Sequence, residues 1–386
     1  MYNAQFFLLC LSNFLFSASF QMLLPEMPDY LSSLGGAEYK GYIIALFTLT
    51  AGISRPFSGK LTDMVGRVPV MVFGTLVCVV CGLLYPLLAT VAGFLALRSF
   101  HGFSTGFKPT ATAAYMSDLA PLEQRGEAMS LLAISAGLGM SLSPPLGSWI
   151  TMHWGINALF YASTLFALGS ILILWRGLHE TLEKPKPFRL SMLRMSRSDI
   201  YEPAATGPFL VIMLVSFSSG VALTLSPDLS KMVGVANKGM FFLISTLAAL
   251  AVRVVAAKTS DRRGRLPVLL VSALGLALSL FLLGISQTRF YFFMSSIVYG
   301  ASWGVITPTL QAWTIDLSHS HNRGRALATM FIGLEAGIGL GAWIAAWLYH
   351  NDPAKIGLPF HVAGGLTLLA AGYIWWKQSR VIAPPF

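Results

Sequence analysis

The sequence predicts an all-α membrane protein of twelve transmembrane helices, built as two pseudo-symmetric six-helix bundles with both termini in the cytoplasm. Three observations predict this class. Of the 386 residues, 55% are hydrophobic and 11% are charged, whereas soluble domains carry about 25% charged residues. Most apolar segments run for about 20 residues, enough for a helix to cross about 30 Å of hydrocarbon. The third observation is an internal repeat.

The repeat appears when the chain is shifted by 198 residues without a gap, which lays residues 40–128 on residues 238–326. The charged and glycine markers then coincide: Lys40 with Lys238, Arg55 with Arg253, Lys60 with Lys258, Asp63 with Asp261, Gly66-Arg67 with Gly264-Arg265, Asp118 with Asp316 and Arg125 with Arg323. Apolar composition aligns hydrophobic residues loosely, but it cannot align charges. The sequence therefore contains the same six-helix unit twice. In a membrane protein such a repeat indicates a transporter with its site between the halves.

The apolar segments place the spans in order along the chain. They cover residues 4–26, 39–59, 69–90, 92–117, 127–150, 155–175, 207–227, 239–257, 267–287, 290–315, 325–348 and 357–376. The one long connection is rich in lysine, arginine and proline, and it reads as a cytoplasmic linker. The predicted domains are an N-terminal bundle at 1–175, this linker at 176–206, and a C-terminal bundle at 207–386.

The distribution of positive charge sets the orientation. The net charge is +10, and 17 of the 26 lysines and arginines fall in one alternate set of loops and tails, against five in the opposite set. Cytoplasmic loops of membrane proteins carry such an excess. The basic character is therefore topological, and we expect no nucleic-acid partner.

Two loops at the repeat offset carry the same pattern of glycine, aspartate and arginine. Gly59-Lys60-Leu61-Thr62-Asp63-Met64-Val65-Gly66-Arg67 follows the second span, and Lys258-Thr259-Ser260-Asp261-Arg262-Arg263-Gly264-Arg265 follows the eighth. Glycine permits the bend, and the aspartate can face a helix N-terminus. We predict a conformational latch on the cytoplasmic side. Its residues are Gly59, Asp63, Gly66, Arg67, Asp118, Arg125, Asp261, Gly264, Arg265, Asp316 and Arg323.

These loops resemble the signature loop of the major facilitator superfamily, and the resemblance covers the whole chain. It implies the major facilitator fold and a loop that closes the cytoplasmic side in one state and releases it in another. Two further segments resemble the twelve-helix drug:proton antiporter branch: Leu24-Pro25-Glu26-Met27-Pro28-Asp29 and Arg98-Ser99-Phe100-His101-Gly102. The resemblance implies a proton-handling role for Arg98, with His101 at the position where that branch carries glutamine.

The fifth span contains Gly139-Met140-Ser141-Leu142-Ser143-Pro144-Pro145-Leu146-Gly147-Ser148. This segment resembles the glycine–proline motif of antiporters in the superfamily, with Ser143 and Ser148 where glycine is usual. We expect Pro144, Pro145 and Gly147 to kink the helix and to permit close packing. The motif favours export, although ordinary helix packing would also account for it.

Two charged residues lie deep within spans. Glu335 alone among the 16 aspartates and glutamates falls in the middle of a span, where a carboxylate costs several kcal/mol unless it is paired, protonated or hydrated. Lys108 is the one lysine at similar depth, about 15 Å from the cytoplasmic rim against about 18 Å for Glu335. We predict that both couple protons to substrate and that they contact each other. A static salt bridge, or a lysine that only neutralises a polar patch, stays open as the alternative. Polar candidates for substrate contact, on helices that line the cavity in the resembled family, are Asn13, Gln21, Trp303 and Gln311.

These features predict a secondary active transporter that works by alternating access. The preferred function is proton-coupled export of a lipophilic or amphipathic compound; proton-coupled transport of an anionic metabolite and lipid flipping stay open. No phosphate-cradling loop is present, so ATP is not expected as the direct driver. We expect no enzymatic activity, no cofactor besides protons as coupling ion and no metal site. The expected partners are a small-molecule substrate and the bilayer. We expect the protein to be a monomer and to lie in the inner (plasma) membrane.

Overall fold

The computed structural model describes residues 3–121, 125–195, 201–318 and 323–382, and within these ranges the regular structure is helical. The helices are α1 Ala4–Gln21, α2 Met27–Ser33, α3 Tyr42–Met64, α4 Arg67–Leu84, α5 Val91–Leu119, α6 Arg125–Trp154, α7 Ile156–Gly177, α8 Thr206–Met232, α9 Met240–Arg263, α10 Arg265–Gly284, α11 Arg289–Leu317, α12 Arg323–Tyr349 and α13 Gly357–Ile382. Short 3₁₀ turns lie at Ala37–Tyr39, Leu190–Leu193, Pro203–Ala205 and Pro353–Lys355.

The chain divides into two compact units. The first comprises Met1–Ala37 and Leu46–Ser196, and the second comprises Glu38–Ala45 and Arg197–Phe386. The segment Glu38–Ala45 thus folds with the second unit, although the chain on both sides of it belongs to the first.

In the first unit, α1 packs on α6 and α7, and α4 packs on α5 and α7. Thr90 begins α5 as an N-cap, because its side chain accepts the amide hydrogen of Gly93. Such a cap satisfies one of the amides that a helix start leaves without a partner. In the second unit, α8 packs on α12, α10 on α13, and α9 on α11. Thr288 caps α11 in the same way, by accepting from Tyr291, 198 residues after Thr90.

The repeat extends to a close helix crossing in each unit. On α5, a Cβ added at Gly102 would overlap the carbonyl oxygen of Phe47 on α3, and on α11 one at Gly300 would overlap that of Ser245 on α9. One turn further on, added Cβ atoms would lie 2.9 Å from the carbonyl oxygen of Ala51 at Gly106 and 2.7 Å from that of Ala249 at Gly304. All four contacts agree with the 198-residue offset, so glycine is needed at the same crossing in each unit.

The first helix is shorter than the first predicted span. That span runs to residue 26, but α1 ends at Gln21, and a turn leads into the separate helix α2. Proline explains the difference. Pro25 cannot donate a backbone hydrogen bond, whereas Pro28 sits in the first turn of α2, where its missing N–H costs nothing.

Among the residues that the structure describes, eight helical stretches are long and apolar enough to cross a membrane by length and composition. They are Ala4–Gln21, Arg67–Leu84, Ile156–Gly177, Pro203–Met232, Arg265–Gly284, Arg289–Leu317, Ala326–Tyr349 and Pro353–Arg380. The protein is therefore a multi-pass membrane protein.

Candidate functional site

A buried polar cluster in the first unit surrounds Arg98 and His101 on α5. Both side chains are fully buried. The His101 Nδ1 lies 3.1 Å from the Tyr85 hydroxyl, and its Nε2 lies 3.4 Å from the Cys78 sulfur. The Arg98 Nη1 lies 3.5 Å from both Tyr85 Oη and His101 Nδ1. Both ring nitrogens of His101 therefore have polar neighbours, which can hold the imidazole in a fixed orientation.

An aromatic ring completes the environment of the arginine. The Arg98 guanidinium carbon lies 4.6 Å from the ring centroid of Phe47, and the rings of Phe47 and His101 meet edge to face at 5.7 Å. A desolvated guanidinium over an aromatic face is favourable by about 2 kcal/mol. The arrangement places the Arg98 guanidinium between the Phe47 ring and the His101–Tyr85 pair inside the unit.

Sequence analysis missed Tyr85 and gave Cys78 no role. Both belong to this cluster only because of how α4 is rotated against α5, and neither residue type stands out on an apolar helix. The signal that could have found them is the pairing of the third and fourth spans by a short loop, which places the two helices side by side.

Lys108 lies on α5 and is fully buried within the first unit. Its ammonium donates a hydrogen bond of 3.2 Å to the carbonyl oxygen of Ser12 on α1, and it lies 4.6 Å from the ring centroid of Phe16. Ser12 also exchanges hydrogen bonds with Ser170 on α7. The lysine thus joins α5 to the polar seam between α1 and α7.

The remaining polar candidates of the first unit are also enclosed. The Asn13 amide nitrogen lies 3.2 Å from both the carbonyl oxygen of Leu132 and the hydroxyl of Ser135 on α6. Gln21 is buried at the last residue of α1. Asn13 therefore also satisfies a neighbouring backbone group.

In the second unit, Glu335 on α12 is 9% exposed, so it is a buried acid at the middle of its helix. Trp303 and Gln311 on α11 are half-buried. The ring of Trp303 stacks on that of Tyr299 at 6.5 Å, and the Tyr299 hydroxyl lies 3.0 Å from that of Ser219 on α8. Sequence analysis did not select Tyr299 or Ser219.

The predicted latch loop of the first unit forms a network around Arg67. The Arg67 Nε lies 3.1 Å from Asp118, and its Nη1 lies 3.1 Å from Asp63. Glu180, which follows α7, accepts the amide hydrogens of Arg67 at 2.9 Å and Val68 at 3.0 Å. A carboxylate at a helix N-terminus satisfies the free amides and interacts favourably with the positive end of the helix dipole. Sequence analysis missed Glu180, because nothing in the local pattern brings the chain after α7 back to α4.

The second unit repeats the central pair of this network. Arg265 Nε lies 3.1 Å from Asp316, the counterpart of Arg67 and Asp118 at the same offset. Gly66 and Gly264 precede the two arginines with φ of 134° and 86°, a region that favours glycine. Gly59 has open space around it. The side chains of Arg125, Asp261 and Arg323 lie outside the described residues.

The proline-containing helix α6 contacts the first helix and its exit. Pro144 and Pro145 lie inside α6, and a Cβ at Gly147 would overlap the carbonyl oxygen of Met22. Next to this contact, the Ser148 hydroxyl donates to Glu26 at 2.8 Å. The serine that replaces the usual glycine therefore has a specific polar partner.

A further ion pair joins Lys40 to Asp228 on α8 in the second unit. The Lys40 Nζ lies 2.8 Å from Asp228, both side chains are at most 10% exposed, and Lys231 approaches the same carboxylate at 3.8 Å. Buried pairs of this kind are costly to break, because removal of one partner leaves an uncompensated charge. Sequence analysis used Lys40 only as a repeat marker.

The fold and these buried charges define the class: a polytopic helical membrane protein with ionisable side chains buried among its helices, as in secondary transporters. The profile of the Major Facilitator Superfamily matches residues 9–224 and 208–384. The chain belongs to this family.

Relatives and solved structures agree with this assignment. The chain is 24% identical over 384 residues to "Multidrug resistance protein MdtG" of Salmonella dublin, covering 95% of this chain and 93% of that protein. It is 25% identical over 383 residues to the protein of the same name from Klebsiella pneumoniae, with 96% and 92% covered. Among solved structures, the D-xylose–proton symporter matches with a TM-score of 0.79 at 19% identity, covering 96% of this chain and 97% of that one. The human organic anion transporter MFSD10 matches with a TM-score of 0.74 at 20% identity, covering 96% and 99%.

Proposed function

We propose that this protein is a proton-coupled exporter of lipophilic or amphipathic compounds in the inner membrane, working by alternating access. The observation that carries the proposal is the match along 95% of the chain to proteins named for multidrug resistance. The buried Arg98–His101 cluster supports it, since ionisable groups inside a membrane protein mark ion pathways. Arg98, His101, Lys108 and Glu335 are the proposed coupling residues.

The proposal includes twelve spans, cytoplasmic termini and two six-helix bundles at 1–175 and 207–386 joined by a linker at 176–206. The four additional spans would be formed by helices of 23, 29, 30 and 24 residues, namely α3, α5, α6 and α9. At about 1.5 Å per residue each is long enough to cross the bilayer. The proposed substrate contacts are Asn13, Gln21, Trp303 and Gln311.

Transport in proteoliposomes tests this function. Purified protein is reconstituted, a pH gradient is imposed, and movement of the lipophilic cation ethidium is followed by fluorescence. We expect movement that depends on the gradient and stops when a protonophore collapses it. Equal movement with and without the gradient would exclude proton coupling.

A second candidate is proton-coupled transport of an organic anion, which the buried ammonium of Lys108 favours. The same vesicles distinguish the two functions when carboxyfluorescein replaces ethidium. If carboxyfluorescein moves and ethidium does not, the function is anion transport and not export of lipophilic compounds.

The latch residues are proposed to act on conformation and not on substrate. Asp63→Asn removes the charge of one of the two carboxylates that contact the Arg67 guanidinium. Exposed ion pairs contribute at most about 1 kcal/mol, so the pair can break and form within a cycle. We expect slower transport and a shifted balance of inward and outward states, with substrate affinity nearly unchanged.

The measurements are ethidium transport, ethidium affinity in detergent, and the distance between spin labels on the two units. Asp352→Asn is the control, because Asp352 is an exposed acid that pairs with Lys355 at i+3. Loss of ethidium binding in Asp63→Asn with an unchanged conformational balance would contradict the latch.

A further inference from the structure

An apolar groove opens on the first unit where α3, α4 and α5 meet the segment after α7. Its volume is about 330 Å³, and its walls include Leu61, Val70, Phe73, Phe107, Phe188 and Leu193. Pockets that hold small ligands start at about 300 Å³. The groove is thus large enough for part of an alkyl chain, and its wall offers almost no polar atom to a more polar molecule.

The segment 186–194 forms one wall of this groove and is held at both ends. The amide of Lys186 donates to the carbonyl oxygen of Met64 at 2.8 Å, and the Lys60 ammonium donates to the carbonyl oxygen of Arg194 at 2.6 Å. Between these anchors, Met192 is buried in the core of the unit. The wall is therefore a fixed part of the fold at this end of α3.

The outer face of residues 184–194, which include this segment, combines apolar and cationic side chains. Leu190 and Phe188 are 79% and 53% exposed. The side chains of Lys184, Lys186, Arg189 and Arg194 are exposed beside them, and residues 184–195 contain no acid. Exposed apolar residues next to lysine and arginine are typical of segments that lie in the headgroup region of an anionic membrane.

We propose that this groove binds an anionic phospholipid. One acyl chain lies against Phe73, Phe107 and the other apolar walls, and the phosphodiester is held by the lysine and arginine side chains of the segment 184–194. Charge complementarity selects an anionic headgroup, because a zwitterionic lipid brings no net charge to these cations. The site is separate from the proposed coupling residues, and it does not depend on which compound is transported.

Lipid retention measured by native mass spectrometry tests the proposal. The full-length protein is equilibrated in mixed micelles with equal amounts of phosphatidylglycerol and phosphatidylcholine of the same chain length. We expect the wild type to retain phosphatidylglycerol at least fivefold over phosphatidylcholine. Arg189→Gln/Arg194→Gln should lose this preference, and both backbone anchors are kept because they use the Met64 and Arg194 carbonyl oxygens.

A second variant and a matched control distinguish lipid bound in the groove from lipid attracted by any cationic side chain of the protein. Val65 also lines the groove. Val65→Phe fills the groove and should reduce retention of both lipids at least fivefold, with the charges intact. Lys377→Gln/Arg380→Gln removes two cations that lie beside Trp376 at the end of α13, and it should change nothing. The proposal is overturned if this control loses as much preference as Arg189→Gln/Arg194→Gln, if both lipids are retained equally, or if Val65→Phe retains lipid like the wild type. Release of the lipid by ethidium would also overturn it, since the groove would then be a substrate pocket.

Discussion

Gly300→Ala should destabilise the second unit by on the order of 3 kcal/mol, among the largest effects we expect from adding a single methyl group. The added Cβ would overlap the backbone carbonyl of Ser245. Backbone cannot rotate away as a side chain can, so α9 and α11 must separate, and overpacking of this kind costs about 1–3 kcal/mol. Gly102→Ala should act in the same way on α3 and α5 of the first unit, through Phe47.

Thermal unfolding in detergent, followed by circular dichroism, measures this effect. Gly372→Ala on α13 is the matched control, because a Cβ there would meet nothing within 4 Å. Alanine is a better helix former than glycine by about 1 kcal/mol, so the control should unfold at the same or a slightly higher temperature. Equal unfolding temperatures for Gly300→Ala and Gly372→Ala would show that the crossing tolerates a side chain.

Glu335→Gln should abolish transport driven by a pH gradient while substrate binding is retained. Glutamine keeps the size and the hydrogen-bonding groups of the side chain but cannot take up or release a proton. A low-dielectric environment favours a neutral acid, and a nearby cation favours the carboxylate. A side chain that moves between such environments would couple protonation to the movement. In Glu335→Gln the side chain stays neutral in both environments, so this coupling is lost.

The deciding measurement is gradient-driven accumulation of ethidium in proteoliposomes containing Glu335→Gln, together with ethidium affinity in detergent between pH 6 and 8. Glu38→Gln, an exposed acid in the 3₁₀ turn before α3, should behave like the wild type. Ethidium affinity should be nearly the same in Glu335→Gln and in the wild type. Wild-type accumulation by this variant would reduce Glu335 to a structural residue.

Much of the fold could be predicted because the repeat is carried by charges and glycines, which composition cannot align by chance. The family is confirmed. Residues at the offset that identified the repeat also make the same contact inside each unit, as Arg67–Asp118 and Arg265–Asp316 do, and as Gly102 and Gly300 do. These residues lie in helix ends and crossings, where local geometry decides which residue type fits. Sequence pattern is most informative at such places.

The surroundings of the candidate residues could not be predicted. Lys108 contacts Ser12 and Phe16, and His101 contacts Tyr85 and Cys78, because of how each helix is rotated about its own axis. An apolar helix gives little information on that rotation, since its lipid-facing and buried sides are both hydrophobic. Glu180 was missed for a different reason: it reaches α4 through an irregular segment that has no periodicity.

The place of Lys40 has a consequence for dividing this protein into fragments. Because Glu38–Ala45 folds with the second unit, a fragment that starts after the linker would lack eight residues of its own unit. In that fragment Asp228 would lose Lys40 and keep the more distant Lys231, 3.8 Å away. Isolated second-half fragments should therefore fold poorly, because they lack Lys40 as the partner of Asp228. The buried Lys40 therefore decides where the chain can be divided, more than the position of the linker does.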